Sequence, residues 1–128
     1  MEDLSKYNPE GSILRKAQLR MLEILIAVDK ICRKHHIDYF LDSGTLIGAV
    51  RHKGFIPWDD DLDIAIRRED FPRLQKALKE ELPSNYCYQD MSTDDQYHLT
   101  ISKVRDRNSI FYDQCSMKMK ERGLFIDI

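Results

Sequence analysis

The segment Trp58-Asp59-Asp60-Asp61-Leu62-Asp63-Ile64 sets four carboxylates within five positions, with large apolar residues at both ends. Like charges so close together repel and raise one another's pKa, and aspartate is a poor strand residue. The run therefore predicts that something cationic neutralises it in the folded chain. Its continuation, Leu62-Asp63-Ile64-Ala65-Ile66-Arg67, alternates as a half-buried strand does. With Asp61 and Asp63 in that strand, the period of two places both on one face, about 6.5 Å apart, and turns Leu62 and Ile64 into the core. Two carboxylates so spaced can converge on one divalent ion or bridge two, as hard oxygen ligands for magnesium. A solvated turn would not interleave its acids with core residues. A calcium loop of the EF-hand kind matches at Asp59, Asp61 and Asp63, but Ile64 stands where glycine is needed and Asp70 where a bidentate glutamate belongs.

Upstream, Leu14, Ala17, Met21, Ile24, Val28 and Ile31 recur three and four apart, which predicts an amphipathic helix over about 12–36. Ser12 is the expected N-cap, with Asn8-Pro9 as an alternative start one turn earlier. His35 and His36 form its polar end. Asp38-Tyr39-Phe40-Leu41-Asp42 reads as a short buried strand breaking at Ser43-Gly44, and Thr45 to His52 as a short helix. Lys53 to Trp58 holds Gly54 and Pro57 among large apolar residues and should fold back onto the protein. Downstream, Asp70 to Leu82 reads as a second amphipathic helix with Asp70 as N-cap and Pro72 in its first turn. Strand signals follow over 86–89, 97–105, 110–112 and 124–128. The last runs to the final residue, from which we expect polypeptide to continue beyond it. The order of elements points to an α+β fold in one domain over 1–128, a mixed β-sheet flanked by helices.

At 128 residues and 15.2 kDa, with 42% apolar residues, the chain has the size of one domain. Lys+Arg 20 against Asp+Glu 22 leaves a net charge of −2, which removes a global electrostatic case for coating nucleic acid or a membrane surface. Its longest apolar run, Ile24 to Val28, is far too short for a membrane span. Cys32, Cys87 and Cys115 are odd in number and form no C-x-x-C pair, so reduced thiols in a cytoplasmic protein are expected.

Ser43-Gly44-Thr45, between a strand and a helix, is a place where free backbone N–H groups favour a phosphate. A turn that holds phosphate and an acid pair that holds magnesium are complementary halves of a nucleotide site. A small-residue turn, a short helix and then alternating acids on a strand resemble the nucleotidyltransferase fold related to polymerase beta. The longer string from Gly44-Thr45-Leu46-Ile47-Gly48-Ala49-Val50-Arg51-His52 through Lys53-Gly54-Phe55-Ile56-Pro57-Trp58 to Asp59-Asp60-Asp61-Leu62-Asp63-Ile64 resembles the LicD family. That family includes bacterial phosphorylcholine transferases and fukutin-type ribitol-phosphate transferases. The resemblance covers about 13–70 and returns at Phe125-Ile126-Asp127-Ile128.

It implies a nucleotidyltransferase-type core, here an N-terminal portion of one. It also implies a magnesium-dependent enzyme, with manganese as the alternative ion. Such an enzyme moves phosphocholine or a polyol phosphate from a cytidine diphosphate donor to a hydroxyl of a glycan or glycolipid. Asp127 is then the third acid beside Asp61 and Asp63, these three holding the metal and serving catalysis. Ser43, Gly44, Thr45, Arg51 and Lys103 become candidates for donor contacts, the last two because guanidinium and ammonium groups donate to anions. Trp58 reads first as core packing, and otherwise as a face for a quaternary ammonium. Two other functions stay open: a generic nucleotidyltransferase, or a non-catalytic module binding metal and nucleotide.

Overall fold

In the computed structural model, which describes residues 3–128, a 3-10 turn at Ser5–Tyr7 precedes the helix α1 (Ile13–Lys34). Of the two starts open in the sequence, Ser12 is the cap: its side chain accepts the Arg15 amide hydrogen at 3.0 Å. Asn8 lies outside the helix, where its Oδ1 accepts the Ser12 hydroxyl. The helix ends at His36, whose φ of 53° is left-handed, and the Ile37 amide closes back on the Cys32 carbonyl at 2.9 Å.

Then come β1 (Tyr39–Leu41), α2 (Ser43–His52), β2 (Ile64–Ile66) and α3 (Phe71–Glu81), followed by β3 (Tyr86–Gln89), β4 (Lys103–Asp106) and β5 (Phe125–Asp127). α2 begins two residues before the expected Thr45, with Asp42 at its N-cap and Ser43 left-handed at φ 50°. Pro72 lies in the first turn of α3 as expected. Asp70 precedes that helix without capping it by its side chain, because its carboxylate is taken by Arg73 at 2.6 Å.

β1 and β2 pair antiparallel, and β3, β4 and β5 form a second antiparallel sheet in that order. A parallel bridge between Asp63 and Asp127 joins the two, with the Asp127 amide donating to the Leu62 carbonyl at 2.9 Å. Ile64, Val104 and Ile126 turn to one face, where they pack with Met21, Ile24 and Val28 of α1 and Leu74 and Leu78 of α3. Alternation then places Asp63, Asp127, Lys103 and Arg105 on the opposite face. The α+β architecture expected from element order is present, but in place of one mixed sheet there are two small antiparallel sheets joined by that single parallel bridge.

Two strand expectations fail. Of 97–105 only the end is strand. Tyr97 is buried and its hydroxyl donates to the Ile101 carbonyl at 2.6 Å, closing a loop on itself, while Ile101 is exposed. At 110–112, Ile110 and Tyr112 are exposed and the backbone contributes one bond, from the Phe111 amide to the Arg122 carbonyl. The expected strand over 62–67 shortens to β2, so Asp61, Leu62 and Asp63 all precede it, Asp63 at the isolated bridge to Asp127. Among the described residues no helix is long and apolar enough to cross a membrane.

Candidate carboxylate site

The acid run acquires its shape from partners remote in sequence. Gln18 lies on the buried stripe of α1, and its side-chain amide donates to the Asp59 carbonyl at 2.8 Å, with longer contacts to the Ile56 and Pro57 carbonyls. Its own oxygen accepts from Asn8 at 3.1 Å. One buried amide thus pins residues 56–59, where loop carbonyls would otherwise lose water without replacement. The Asp63 backbone is fixed by three contacts, one of them to a side chain. Its amide donates to Thr45 Oγ1 at 2.9 Å, its carbonyl accepts from Asp42 at 3.1 Å, and it bridges Asp127. Leu62 and Ile64 are 3% and 4% exposed, so the alternation of acids and core residues is as the sequence indicated.

The structure joins Asp63 to Asp127 through a parallel backbone bridge, and Asp61, just before β2, lies near enough to both for their charges to act on one another. Burial raises the Asp61 pKa first, followed by the charges of Asp60, Asp59 and Asp127, with Lys103 opposing. Burial likewise raises Asp63, then Asp127, Asp61, Asp42 and Asp59. Ionised carboxylates of this kind hold one another at a cost that a cation would relieve. Asp61, Asp63 and Asp127 do not converge as closely as Asp59, Asp60 and Asp61, whose carboxylate oxygens are, among the described residues, the group of three lying within 4.8 Å of one another. This is a hard, all-oxygen donor set of the kind that suits magnesium or manganese.

Around the acids, the other candidates divide. Gly44 lies against Asp59: a β-carbon built on it would stand 2.6 Å from Asp59 Oδ2, so glycine here admits the carboxylate to the start of α2. Thr45 spends its hydroxyl on the Asp63 amide, and Ser43 opens the helix beside it. Lys103 forms an ion pair with Asp127, its ammonium at hydrogen-bonding range of Oδ1. Arg51 is apart from these, exposed at the far end of α2 and lining a groove of about 430 Å³ with Asn8, Gln18, Lys53 and Pro57. Trp58 does not pack in the core. It is 59% exposed, with Tyr7 and His52 set edge-on to it at 6.0 and 6.4 Å, because the bonds of Gln18 turn the loop outward at that point.

Gln18 and Arg105 are structural contributors that sequence reasoning passed over. Gln18 left one signal, a polar residue at a buried position of the α1 stripe. Arg105, fully buried, donates to Gln89, to the Gly123 carbonyl at 2.8 Å and to Ser116 at 3.0 Å, and its guanidinium lies over the Phe125 ring. It fastens the irregular segment between β4 and β5 to the same sheet face that carries the acids. Nothing local in the sequence marks it.

Comparison with known proteins places these features in a family. The profile described as LicD/FKTN/FKRP, nucleotidyltransferase domain, matches residues 36–126. The chain is 37% identical over 119 residues to the lipopolysaccharide cholinephosphotransferase LicD of Haemophilus influenzae, an alignment covering 90% of this chain and 43% of that protein. An uncharacterised protein of Rickettsia prowazekii is 43% identical over 77 residues, covering 60% of this chain and 27% of its own length. The human ribitol 5-phosphate transferase FKRP is 50% identical over 48 residues, covering 38% of this chain and 10% of its own. The chain therefore spans less than half the length of these relatives. With the profile matched over most of its length, the chain belongs to the LicD/FKTN/FKRP family of nucleotidyltransferase domains.

Proposed function

We propose that Asp61, Asp63 and Asp127 hold a divalent cation, magnesium with manganese as the alternative, and that the chain is the donor-binding portion of a transferase. The reaction is transfer of a phosphate-linked alcohol, phosphocholine or a polyol phosphate, from a cytidine diphosphate donor to a hydroxyl of a glycan or glycolipid. What carries this reading is the parallel bridge that sets Asp127 beside Asp63, so that acids from separate parts of the chain meet on one face. The names of the relatives, a cholinephosphotransferase and a ribitol phosphate transferase, support the class of group moved.

When bound, the cation supplies charge neutralisation of the diphosphate and of the leaving nucleotide. The chain's own residues do the rest. Asp61 and Asp63 are presented by a segment that Gln18 and Thr45 hold rigid, which fixes the direction of their lone pairs. Ser43 and Gly44, at the start of α2, face the donor with amide hydrogens, and Lys103 contributes an ammonium beside Asp127. Arg51 serves a more distant part of the donor or acceptor from the far end of α2. A carboxylate oxygen left free of the cation takes the proton of the incoming hydroxyl. The three free cysteines agree with a cytoplasmic site of action.

The test is calorimetric titration of manganese into the protein, then of cytidine diphosphate into the loaded protein, beside an assay of transfer from a cytidine diphosphate alcohol to a glycan acceptor. Asp61→Asn or Asp63→Asn should weaken cation binding by at least about tenfold and abolish transfer by any form of the enzyme that shows it. Undiminished binding in both variants removes the metal assignment. A second reading is a non-catalytic module that binds cation and nucleotide without turnover. Binding without transfer supports that one.

A further inference from the structure

Lys103 is placed unusually for a lysine. It begins β4 directly opposite Asp127 of β5, its side chain is 6% exposed, and its ammonium is bonded to Asp127 Oδ1 while lying 3.6 Å from the centre of the Phe125 ring. Phe125 is shared, since the Arg105 guanidinium stands over the same ring at 4.7 Å. The two cations differ in what restrains them. Arg105 is tied by Gln89, Ser116 and the Gly123 carbonyl. Lys103 has one hydrogen-bonded partner and the ring, although an ammonium carries three donor hydrogens.

Asp127 is paired through the backbone with Asp63, so the ammonium is bonded to one of the carboxylates assigned above to the divalent ion. A divalent ion taking the Asp127 oxygen that the ammonium holds must displace the ammonium or share the carboxylate against its like charge. A four-carbon stem lets an ammonium swing by several ångströms, and the Phe125 face remains attractive to it along that path.

We propose that Lys103 is an internal counter-cation of this site, which neutralises Asp127 until a divalent ion takes that carboxylate and then turns to the diphosphate of the incoming donor. The inference rests on the metal reading above and adds to it a coupling: cation and diphosphate bind cooperatively because one side chain is released by the first and used by the second. By linkage, each then tightens the other by the same factor.

The experiment is calorimetric titration of manganese into the protein with and without cytidine diphosphate, for the unchanged chain, Lys103→Met and Lys103→Arg, with the manganese paramagnetic resonance signal as a second readout. In the unchanged chain, cytidine diphosphate should tighten manganese binding by about tenfold. Lys103→Met, freed of the competing charge, should bind manganese alone about fivefold more tightly than the unchanged chain and lose most of the tightening by cytidine diphosphate. Lys103→Arg should retain the tightening. If Lys103→Met binds manganese equally or more weakly, Lys103 merely props Asp127 and the counter-cation role is overturned. Should Lys103→Met not fold, Asp127→Asn decides. Releasing Lys103 should strengthen cytidine diphosphate binding in the absence of manganese, and no gain refutes the proposal. Failure of the unchanged chain to bind manganese at all sinks the metal reading itself, whereas binding that Lys103→Met leaves unaltered sinks only the role of Lys103.

Discussion

Two glycines of α2 show how a single β-carbon separates fold from site. At Gly48 an added carbon would stand 2.5 Å from the Gly54 carbonyl oxygen and 2.9 Å from the Ile56 amide, both backbone atoms that cannot yield. Gly48→Ala should destabilise the protein by about 1–3 kcal/mol, measured by urea unfolding. At Gly44 the obstacle is the end of the Asp59 side chain, which can turn away. Gly44→Ala should therefore leave the urea midpoint nearly unchanged while weakening manganese binding. Equal loss of stability in both variants would contradict this division. Asp61 and Asp63 act in the opposite sense, since partial desolvation and like charges make their ionised forms a burden on the fold without a cation. Asp61→Asn or Asp63→Asn should raise the melting temperature without divalent ions by about 1–3 °C, and should lose any further rise on adding manganese.

At the scale of elements, the loop from Phe55 to Asp60 depends on a helix far away in sequence. Gln18→Leu keeps the bulk in the α1 stripe but leaves three loop carbonyls without their donor. We expect a loss of about 1–3 kcal/mol, together with faster amide exchange at 56–60 than in α3. Uniform exchange across the chain would show that the loop is held by other means. This dependence also explains what could be read beforehand. The periodicity of α1, the Ser12 cap and the alternation around Asp61 and Asp63 are local patterns and appear in the structure. Alternation over 97–105 met no partner strand before Ser102, whose amide and carbonyl pair with Ile128, and alternation alone does not make a ladder. Trp58 was misplaced for the same reason, because the bonds that turn its loop outward come from a residue forty positions earlier. The Ser43-Gly44-Thr45 turn was legible as a feature of the site, but not the commitment of Thr45 to the Asp63 amide.

Across the whole molecule, α1 is attached to the second sheet by Arg20, whose guanidinium meets the buried Asp106 carboxylate at 2.9 and 3.1 Å. Burial acts to raise the Asp106 pKa, but Arg20, the Asn108 amide and Ser109 outweigh it and hold the group below the usual carboxylate range. A carboxylate depressed in the folded state contributes stability above its unfolded pKa and loses it as pH falls through the folded value. Unfolding free energy should thus decline below about pH 4, and Asp106→Asn should flatten that decline while costing about 2 kcal/mol at neutral pH. An unchanged acid slope in the variant would remove Asp106 from the account. The family was legible from the string 44–64 and the closing strand; the bridge that unites them was not, because Asp63 and Asp127 are separated by half the chain. That separation means the acids meet only when distant parts of the polypeptide have already found each other. The amide of Asp127, bonded to the Leu62 carbonyl, is consequently a reporter of cooperative unfolding: its deuterium uptake should follow the global equilibrium and slow in step with it when an ion spans the seam.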